Sequence, residues 1–128
     1  MLEFMRISCA VPAVAVADVQ KNVADICAYI ARADAQGSDL VIFPELAVTG
    51  YTCADLFFQE TLLRAAHSGL AQIAEFTGSY PRLMVVVGLP VQVAGQMYNC
   101  AAVITAGKVI GLVPKTYLPN HHEFYERR

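Results

Sequence analysis

Two charged residues of complementary chemistry follow apolar segments at distant points in the sequence. Glu45 comes after the apolar residues 40–44, and Lys115 comes after the apolar residues 109–114. If both segments are strands, both side chains lie at strand exits, where open α/β sheets place their ligands. A carboxylate there can transfer protons, and an ammonium can stabilise a developing oxyanion. The pair predicts two parts of a site for nucleophilic chemistry, with a helix-capping or solvated loop acid and an ordinary strand-end lysine as the alternatives.

The candidate nucleophiles are the four cysteines, Cys9, Cys27, Cys53 and Cys100. A reactive thiol needs a lowered pKa and access to the substrate. Cys53 lies in a loop and Cys100 lies within an apolar, strand-like segment, and neither position indicates both properties. The sequence contains no Cys-x-x-Cys pair and no zinc spacing, so we expect free, structural thiols and a cytoplasmic location.

Polar residues near the C-terminal end give weaker signals. His121 and His122 are adjacent, so their side chains point in different directions, and no acid or cysteine supplies metal-ligand spacing around them. We therefore expect no metal site. Glu123 and Glu126 lie 8 and 11 residues after Lys115 and could pair with it, although an exposed loop is the alternative.

The composition indicates a chain whose surface is partly covered. Its 128 residues are enough for one domain. Charged residues make up only 16% and hydrophobic residues 56%, whereas soluble domains carry about a quarter charged residues. We expect part of a larger fold or a homo-oligomer. A net charge of −2 without a basic stripe argues against nucleic-acid binding, and the interrupted apolar run at 83–94 is too short to span a membrane.

Hydrophobic periodicity predicts the element order β-α-β-α-β-β-β, and therefore an α/β fold with a mixed sheet. Asp18 is the expected N-cap of the first helix and Gly37 its stop, while Ser68-Gly69 could kink or split the second helix. The first strand is apolar enough to be buried on both faces, Pro90 closes the third, and Ala106-Gly107 fits a hairpin turn. The predicted strands are 4–11, 40–43, 84–88, 97–105 and 108–113, and the second helix covers about 55–77.

Two motifs together resemble those of the nitrilase, or carbon–nitrogen hydrolase, superfamily. They are Phe-Pro-Glu-Leu-x-x-Thr-Gly-Tyr at 43–51 and Pro-Lys-Thr-Tyr-Leu-Pro-Asn at 114–120, and the segments 87–90 and 98–101 fit the same pattern. Two further segments, 49–57 and 123–128, look like the glutaminase domain of glutamine-dependent NAD synthetases. Because the resemblance covers nearly the whole chain, residues 1–128 are expected to be the N-terminal part of one such domain.

The resemblance implies a nitrilase-like αββα sandwich, of which these residues supply the N-terminal portion with a mixed sheet and flanking helices. It also implies a Glu–Lys–Cys triad in which Glu45 is the general base and Lys115 stabilises the oxyanion. Glu126 would support the lysine at the substrate site, Tyr51 would line the pocket, and His121 stands where these synthetases typically have a tyrosine that contacts glutamine. The nucleophilic cysteine of the family lies beyond the last residue here, and none of the four cysteines matches it.

The implied activity is hydrolysis of the glutamine amide, with ammonia passing to a C-terminal synthetase domain of a longer chain. That domain would need ATP and magnesium to amidate deamido-NAD, whereas residues 1–128 contain no Gly-rich phosphate loop and are expected to bind no cofactor. The family further implies homo-oligomers. Without the nucleophile, these residues alone are expected to be inactive. A stand-alone nitrilase-type amidase and a catalytically incomplete structural or interaction module are the alternatives.

Overall fold

A mixed sheet organises the part of the chain that the structure describes. The structure is a computed structural model, which describes residues 4–50 and 60–115 together with the backbone of 120–121 and 124–125. The predicted order β-α-β-α-β-β-β is confirmed for the first seven elements, and two short paired strands follow them. The elements are β1 (Ile7–Cys9), α1 (Val19–Ala35), β2 (Leu40–Ile42), α2 (Glu60–Thr77), β3 (Met84–Val93), β4 (Gln96–Thr105), β5 (Lys108–Pro114), β6 (Asn120–His121) and β7 (Phe124–Tyr125).

The topology brings the ends of distant strands to one edge. The five strands of the main sheet lie in the order β1-β2-β3-β4-β5. The first three run parallel and are joined by the two helices, whereas β3, β4 and β5 are antiparallel neighbours. Two reversals return β5 to the direction of β2. The residues that follow β2 and β5 therefore emerge at the same edge of the sheet, the carboxyl edge at which α/β folds place their sites.

Both helices pack on one face of the sheet and form the core with it. Asp18 caps α1, since its side chain accepts a hydrogen bond from the backbone N of Lys21 at 3.1 Å. Val23, Ile26 and Ile30 are buried, as the helical spacing predicted. Neither α1 nor α2 is long and apolar enough to cross a membrane. From the two central strands, the core contains the alternating residues Val85, Val87, Leu89, Ala102 and Ile104.

The second helix runs unbroken through Ser68-Gly69, so the glycine does not split it. Its role is close helix packing, because an added Cβ at Gly69 would lie 2.9 Å from side-chain carbons of both Val19 and Val23. A glycine inside a helix costs about 1 kcal/mol relative to alanine. Here that cost accompanies the close approach of α1 and α2.

The first strand is shorter and more exposed than the sequence predicted. It covers three residues, and the prediction of a longer strand buried on both faces is wrong. β1 is an edge strand and the helices cover only one face of the sheet, so Phe4 is 87% exposed and Ile7 is 52% exposed. Ile42 and Met84 lie on the same face as Ile7 and are also partly exposed. In the described part of the chain, the helix-free face is therefore apolar and open to solvent.

The third strand continues through Pro90 to Val93, so the prediction that this proline closes the strand is wrong. The carbonyl of Gly88 accepts a hydrogen bond from Val48 N on the β2 side. Strand alternation turns the Pro90 nitrogen to that same side, where β2 has already ended. The missing N–H therefore removes no bond of the β3–β4 ladder.

Two tight turns join the antiparallel strands. Ala106 and Gly107 have φ values of +49° and +86°, which confirms the predicted hairpin turn. Ala94 and Gly95, with φ values of +51° and +79°, form an equivalent turn between β3 and β4. Two successive positive φ values are typical of type I′ turns. The sequence does not predict the second turn, because ending β3 at the proline leaves no hairpin there.

Candidate active site

Glu45 and Lys115 meet at the carboxyl edge of the sheet. Lys115 Nζ lies 2.8 Å from Glu45 Oε1, although 70 residues separate the two. Asn99 Nδ2 donates a second hydrogen bond to the same oxygen at 2.7 Å. The side chains of Lys115 and Glu45 are 31% and 39% exposed, so solvent and a small substrate can reach them. The geometry brings a proton acceptor and a cation together, and their catalytic roles stay predictions.

The backbone around Glu45 lies directly on β3. Phe43 N donates to the carbonyl of Val86 at 2.9 Å, and the chain then turns through Leu46, whose φ is +54°. Gly88 permits this approach, because an added Cβ would lie 2.4 Å from Leu46 N and 3.1 Å from Glu45 Cα. The position of Glu45 is therefore set by the packing of one backbone segment against another.

Lys115 is placed by the pairing of β4 with β5. Pro114 lies opposite Cys100 in that pairing, and Lys115 N donates to the carbonyl of Asn99 at 2.8 Å. Asn99 thus holds the lysine through its backbone and holds Glu45 through its side chain. Three neighbouring strands, β3, β4 and β5, together fix the distance between the two charged groups.

The charged pair borders an open cleft of about 340 Å³. A partly exposed ion pair contributes roughly 0–1 kcal/mol of stability, so its importance here is chemical. Charges that flank an apolar surface act on a bound substrate more strongly than charges in bulk water. The arrangement can take up a proton and stabilise a negative oxygen, and it needs a nucleophile to complete an acyl transfer. The apolar lining of the cleft includes Ile42, Val86, Ala101 and Val113.

The cysteines of the described residues do not supply a clear nucleophile. Cys100 lines the cleft but is only 7% exposed, and burial raises the pKa of its thiol. Burial also raises the pKa of Cys27, which lies in α1. Because the thiolate is the reactive form, a raised pKa disfavours attack. Cys9 is exposed on β1, the edge strand farthest from β5. Cys53 lies outside the described residues.

Several residues named from the sequence cannot be joined to this geometry. Tyr51 and Glu126 lie outside the described residues, as do His122 and Glu123. The backbone of His121 lies in β6 and pairs with β7, while its side chain lies outside the description. Their roles at a substrate site stay predictions. Within the described ranges, no group of three or more histidine, cysteine, aspartate or glutamate residues is arranged to hold a metal ion.

Asn99 is a site residue for which the sequence predicted no role, although its segment is part of the motif pattern. Strand alternation contains a usable signal. Cys100, Ala102 and Ile104 are buried on the helix side, so Asn99 projects from the opposite face. An amide whose nearest neighbours on the strand face, Met97 and Ala101, are apolar indicates a polar partner. The identity of that partner, 54 residues earlier in the chain, cannot be read from spacing.

The fold and the site define the class of protein to which the chain belongs. A mixed α/β sheet carries a glutamate–lysine pair where two strands of the same direction end. The family model of the carbon–nitrogen hydrolases matches residues 7–128. The chain therefore belongs to the carbon–nitrogen hydrolase family, and the resemblance predicted from the two motifs is confirmed.

Comparison with individual proteins shows which members of this family the chain resembles. The glutamine-dependent NAD(+) synthetase of Mycobacterium tuberculosis is 36% identical over 126 residues, which are 98% of this chain and 18% of the relative. The crystal structure of a glutamine-dependent NAD(+) synthetase from Cytophaga hutchinsonii has a TM-score of 0.88 at 32% identity, covering 95% of this chain and 20% of that one. An amidase structure from Nesterenkonia sp. has a TM-score of 0.76 at 29% identity, covering 94% of this chain and 45% of that one.

These similarities confirm the nitrilase-like α/β fold. They also show how much of each relative this chain covers. The chain spans 18% of the length of the mycobacterial synthetase that it matches. Its described residues supply one helical layer and one sheet layer of the predicted sandwich. The apolar, helix-free face is the face on which a further layer would pack.

Proposed function

We propose that this chain is the N-terminal part of a glutaminase domain that hydrolyses the amide of glutamine and supplies ammonia for NAD synthesis. The 2.8 Å contact between Glu45 and Lys115 carries the proposal, because it brings a proton acceptor and an oxyanion-stabilising cation to one cleft. Similarity to glutamine-dependent NAD(+) synthetases over 98% of the chain supports glutamine as the substrate.

The reaction needs a thiol nucleophile, which we place outside residues 1–128. The related amidase from Nesterenkonia sp. supports a cysteine, since acrylamide has added to the active site cysteine of one of its variants. In the first step, Glu45 takes the thiol proton while the sulfur attacks the amide carbon. Negative charge then develops on the carbonyl oxygen, and the ammonium of Lys115 stabilises it.

The second half of the reaction returns the site to its starting state. As the tetrahedral species collapses, the carbon–nitrogen bond breaks and the proton held by Glu45 moves to the leaving nitrogen, so ammonia departs and a thioester remains. Water then attacks the thioester while Glu45 accepts its proton, and that proton passes to the departing sulfur as glutamate is released. A base that acts twice must keep one position, which the packing of its backbone on Gly88 supports.

We further assign substrate roles to residues outside the described geometry. Tyr51 and His121 contact glutamine, and Glu126 supports Lys115 at the substrate site. An imidazole at His121 can donate or accept a hydrogen bond, as the phenol of a tyrosine does. The support for these roles is the motif pattern on both sides of the described strands.

The ammonia produced passes to a C-terminal synthetase domain of a longer chain, which uses ATP and magnesium to amidate deamido-NAD. No residue among 1–128 is assigned to those cofactors. We place the enzyme in the cytoplasm, because Cys9, Cys27 and Cys100 are free thiols. We also propose a homo-oligomer, because a charged content of 16% leaves apolar surface to be covered.

A stand-alone amidase is the second candidate. The amidase from Nesterenkonia sp. matches the fold with a TM-score of 0.76, and a glutamate–lysine pair suits the hydrolysis of any small amide. The TM-score of 0.88 to a glutamine-dependent NAD(+) synthetase favours the first candidate. A structural or interaction module is the third candidate, because Glu45 and Lys115 alone do not complete a nucleophilic site.

Transfer of an isotope label from the glutamine amide to NAD separates the three candidates. The complete open reading frame that contains these residues is expressed and supplied with labelled glutamine, ATP, magnesium and deamido-NAD. Labelled NAD is the expected product. Amide hydrolysis without NAD formation would overturn the first candidate in favour of an amidase, and no hydrolysis of any amide would leave the structural module. Residues 1–128 alone should release no ammonia, and alkylation-sensitive release would contradict a nucleophile outside them.

A further inference from the structure

We propose that Asn99 is a positioning residue that anchors one oxygen of the Glu45 carboxylate and thereby reserves the other for proton transfer. Both hydrogen bonds to the carboxylate end on Oε1, from Lys115 Nζ at 2.8 Å and from Asn99 Nδ2 at 2.7 Å. Within the described residues, no hydrogen bond reaches Oε2 of Glu45. The two oxygens are therefore in different environments before any substrate binds.

The amide supplies a restraint that the lysine cannot supply alone. A lysine ammonium is a compact charge on a flexible four-carbon stem, so it attracts the carboxylate without fixing its orientation. Asn99 lies inside β4, opposite Pro90 of β3, and its carbonyl accepts a bond from Lys115 N at 2.8 Å. Its short side chain starts from a backbone that lies between β3 and β5 and is bonded to the β5 side. A directional bond from such a rigid point fixes the plane of the carboxylate.

The division between the oxygens matters most when the proton moves. This inference rests on the proposed function, in which Glu45 takes the thiol proton. As the sulfur–hydrogen bond breaks and an Oε2–hydrogen bond forms, the carboxyl group becomes neutral and its attraction for the ammonium falls. Lys115 can then turn toward the new oxyanion. The bond from Asn99 to Oε1 persists, because a neutral carboxyl group still accepts hydrogen bonds, and it keeps Oε2 in place to return the proton to the leaving nitrogen.

Two substitutions in the complete enzyme test this role. Asn99→Ala removes the donor, and Asn99→Asp keeps the volume but replaces the donor by an acceptor that repels the carboxylate. The matched control is Gln96→Ala, which removes a hydrogen bond of 2.7 Å from Tyr98 Oη on the same strand, away from the pair. A misplaced catalytic group costs roughly 100-fold in rate, so we expect kcat to fall by about that factor in both Asn99 variants. KM should stay near its original value, and the control should match the wild-type enzyme.

Three kinetic outcomes would overturn the inference. They are an unchanged kcat in both Asn99 variants, a loss carried by KM, which would make Asn99 a substrate contact, and an equal loss in the Gln96→Ala control. If Asn99→Ala does not fold, the isosteric Asn99→Asp decides the kinetic test.

A crystal structure of the better-folded Asn99 variant gives a second readout that does not depend on activity. The carboxylate of Glu45 should leave its present position or rotate. An unmoved carboxylate, still 2.8 Å from Lys115 Nζ, would overturn the inference even if the wild-type enzyme hydrolysed glutamine. A wild-type enzyme without glutaminase activity would instead contradict the proposed function. The position of the Glu45 carboxylate in the crystal structure would still decide whether Asn99 is a positioning residue.

Discussion

Two ion pairs of similar length in this molecule are held together in very different ways. Glu60 and Arg64 lie one helical turn apart in α2, with 2.6 Å between their charged atoms and with both side chains 76% exposed. Glu45 and Lys115 are 2.8 Å apart, but 70 residues separate them and their exposure is 39% and 31%. The length of an ion pair therefore does not distinguish a surface contact from a candidate active site.

The difference lies in how much structure each pair requires. Helical spacing alone places Glu60 beside Arg64. The pair of Glu45 and Lys115 instead requires three paired strands, a glycine that admits a backbone turn, and an asparagine that bonds one partner through its side chain and the other through its backbone. Breaking the helical pair should change stability slightly, whereas breaking the strand-end pair should change the chemistry.

The largest expected effect is that of Glu45→Gln in the complete enzyme. Removing the proton acceptor should lower kcat for glutamine hydrolysis by roughly 1,000-fold, because general acid–base groups typically contribute 100- to 10,000-fold. Steady-state ammonia release measures this loss. The matched control, Glu60→Gln, removes a carboxylate of the same type from α2 and should leave kcat unchanged. Equal activity in the two variants would mean that the strand-end position has no chemical importance.

A somewhat smaller loss is expected for Lys115→Met. Methionine keeps most of the side-chain volume but removes the cation, and one oxyanion-stabilising group is typically worth roughly 100- to 1,000-fold in kcat. The control is Lys108→Met at the start of the same strand, where the residue is exposed. Steady-state rates over a range of glutamine concentrations measure kcat and KM for both variants. A loss that appears only in KM would assign Lys115 to substrate binding instead of to the transition state.

Gly88→Ala tests the backbone contact beneath the site. The new Cβ would meet Leu46 N at 2.4 Å, so the segment that carries Glu45 must move. Overpacking of this kind costs roughly 1–3 kcal/mol in the free energy of unfolding. A displaced catalytic group should also lower kcat by roughly 100-fold.

The matched control for this change is Gly111→Ala in β5, where an added Cβ meets nothing within 4 Å. Denaturant unfolding and ammonia release are measured on both variants. A Gly88→Ala enzyme with wild-type stability and activity would show that the close contact does not position Glu45.

The smallest effect is expected for Arg64→Gln. An exposed helical pair contributes roughly 0.2–0.5 kcal/mol to stability, and salt screens it. The free energy of unfolding should fall by no more than that at low ionic strength, and the difference should shrink in high salt. A salt-independent loss of several times that size would show that the pair does more than join two exposed side chains.

Much of this architecture was predictable from local pattern. Asp18 as a cap, the spacing of Val23, Ile26 and Ile30, and the Ala106-Gly107 turn all follow from rules that act over a few residues. The errors arose where tertiary context decides. Pro90 stays within β3 because its nitrogen faces the side where β2 has ended, and the first strand is exposed because helices cover one face only.

The candidate site was predictable in part for the same reason. Strand-exit positions indicate Glu45 and Lys115 without knowledge of the register. The contribution of Asn99 depends on which residue of β4 lies level with Lys115, and a shift of one position would turn the amide to the other face. Likewise, nothing in the sequence around Gly88 indicates that Leu46 N will lie close to its Cα. Both are consequences of strand pairing over long distances.

The most direct test of the account compares two nitrogen sources in the complete enzyme that carries Glu45→Gln. NAD formation is measured with glutamine and, separately, with added ammonia. The account predicts that glutamine-dependent formation falls by roughly 1,000-fold while ammonia-dependent formation stays near the wild-type rate, because Glu45 acts only in releasing ammonia. Retention of the glutamine-dependent rate, or loss of both rates together, would contradict it.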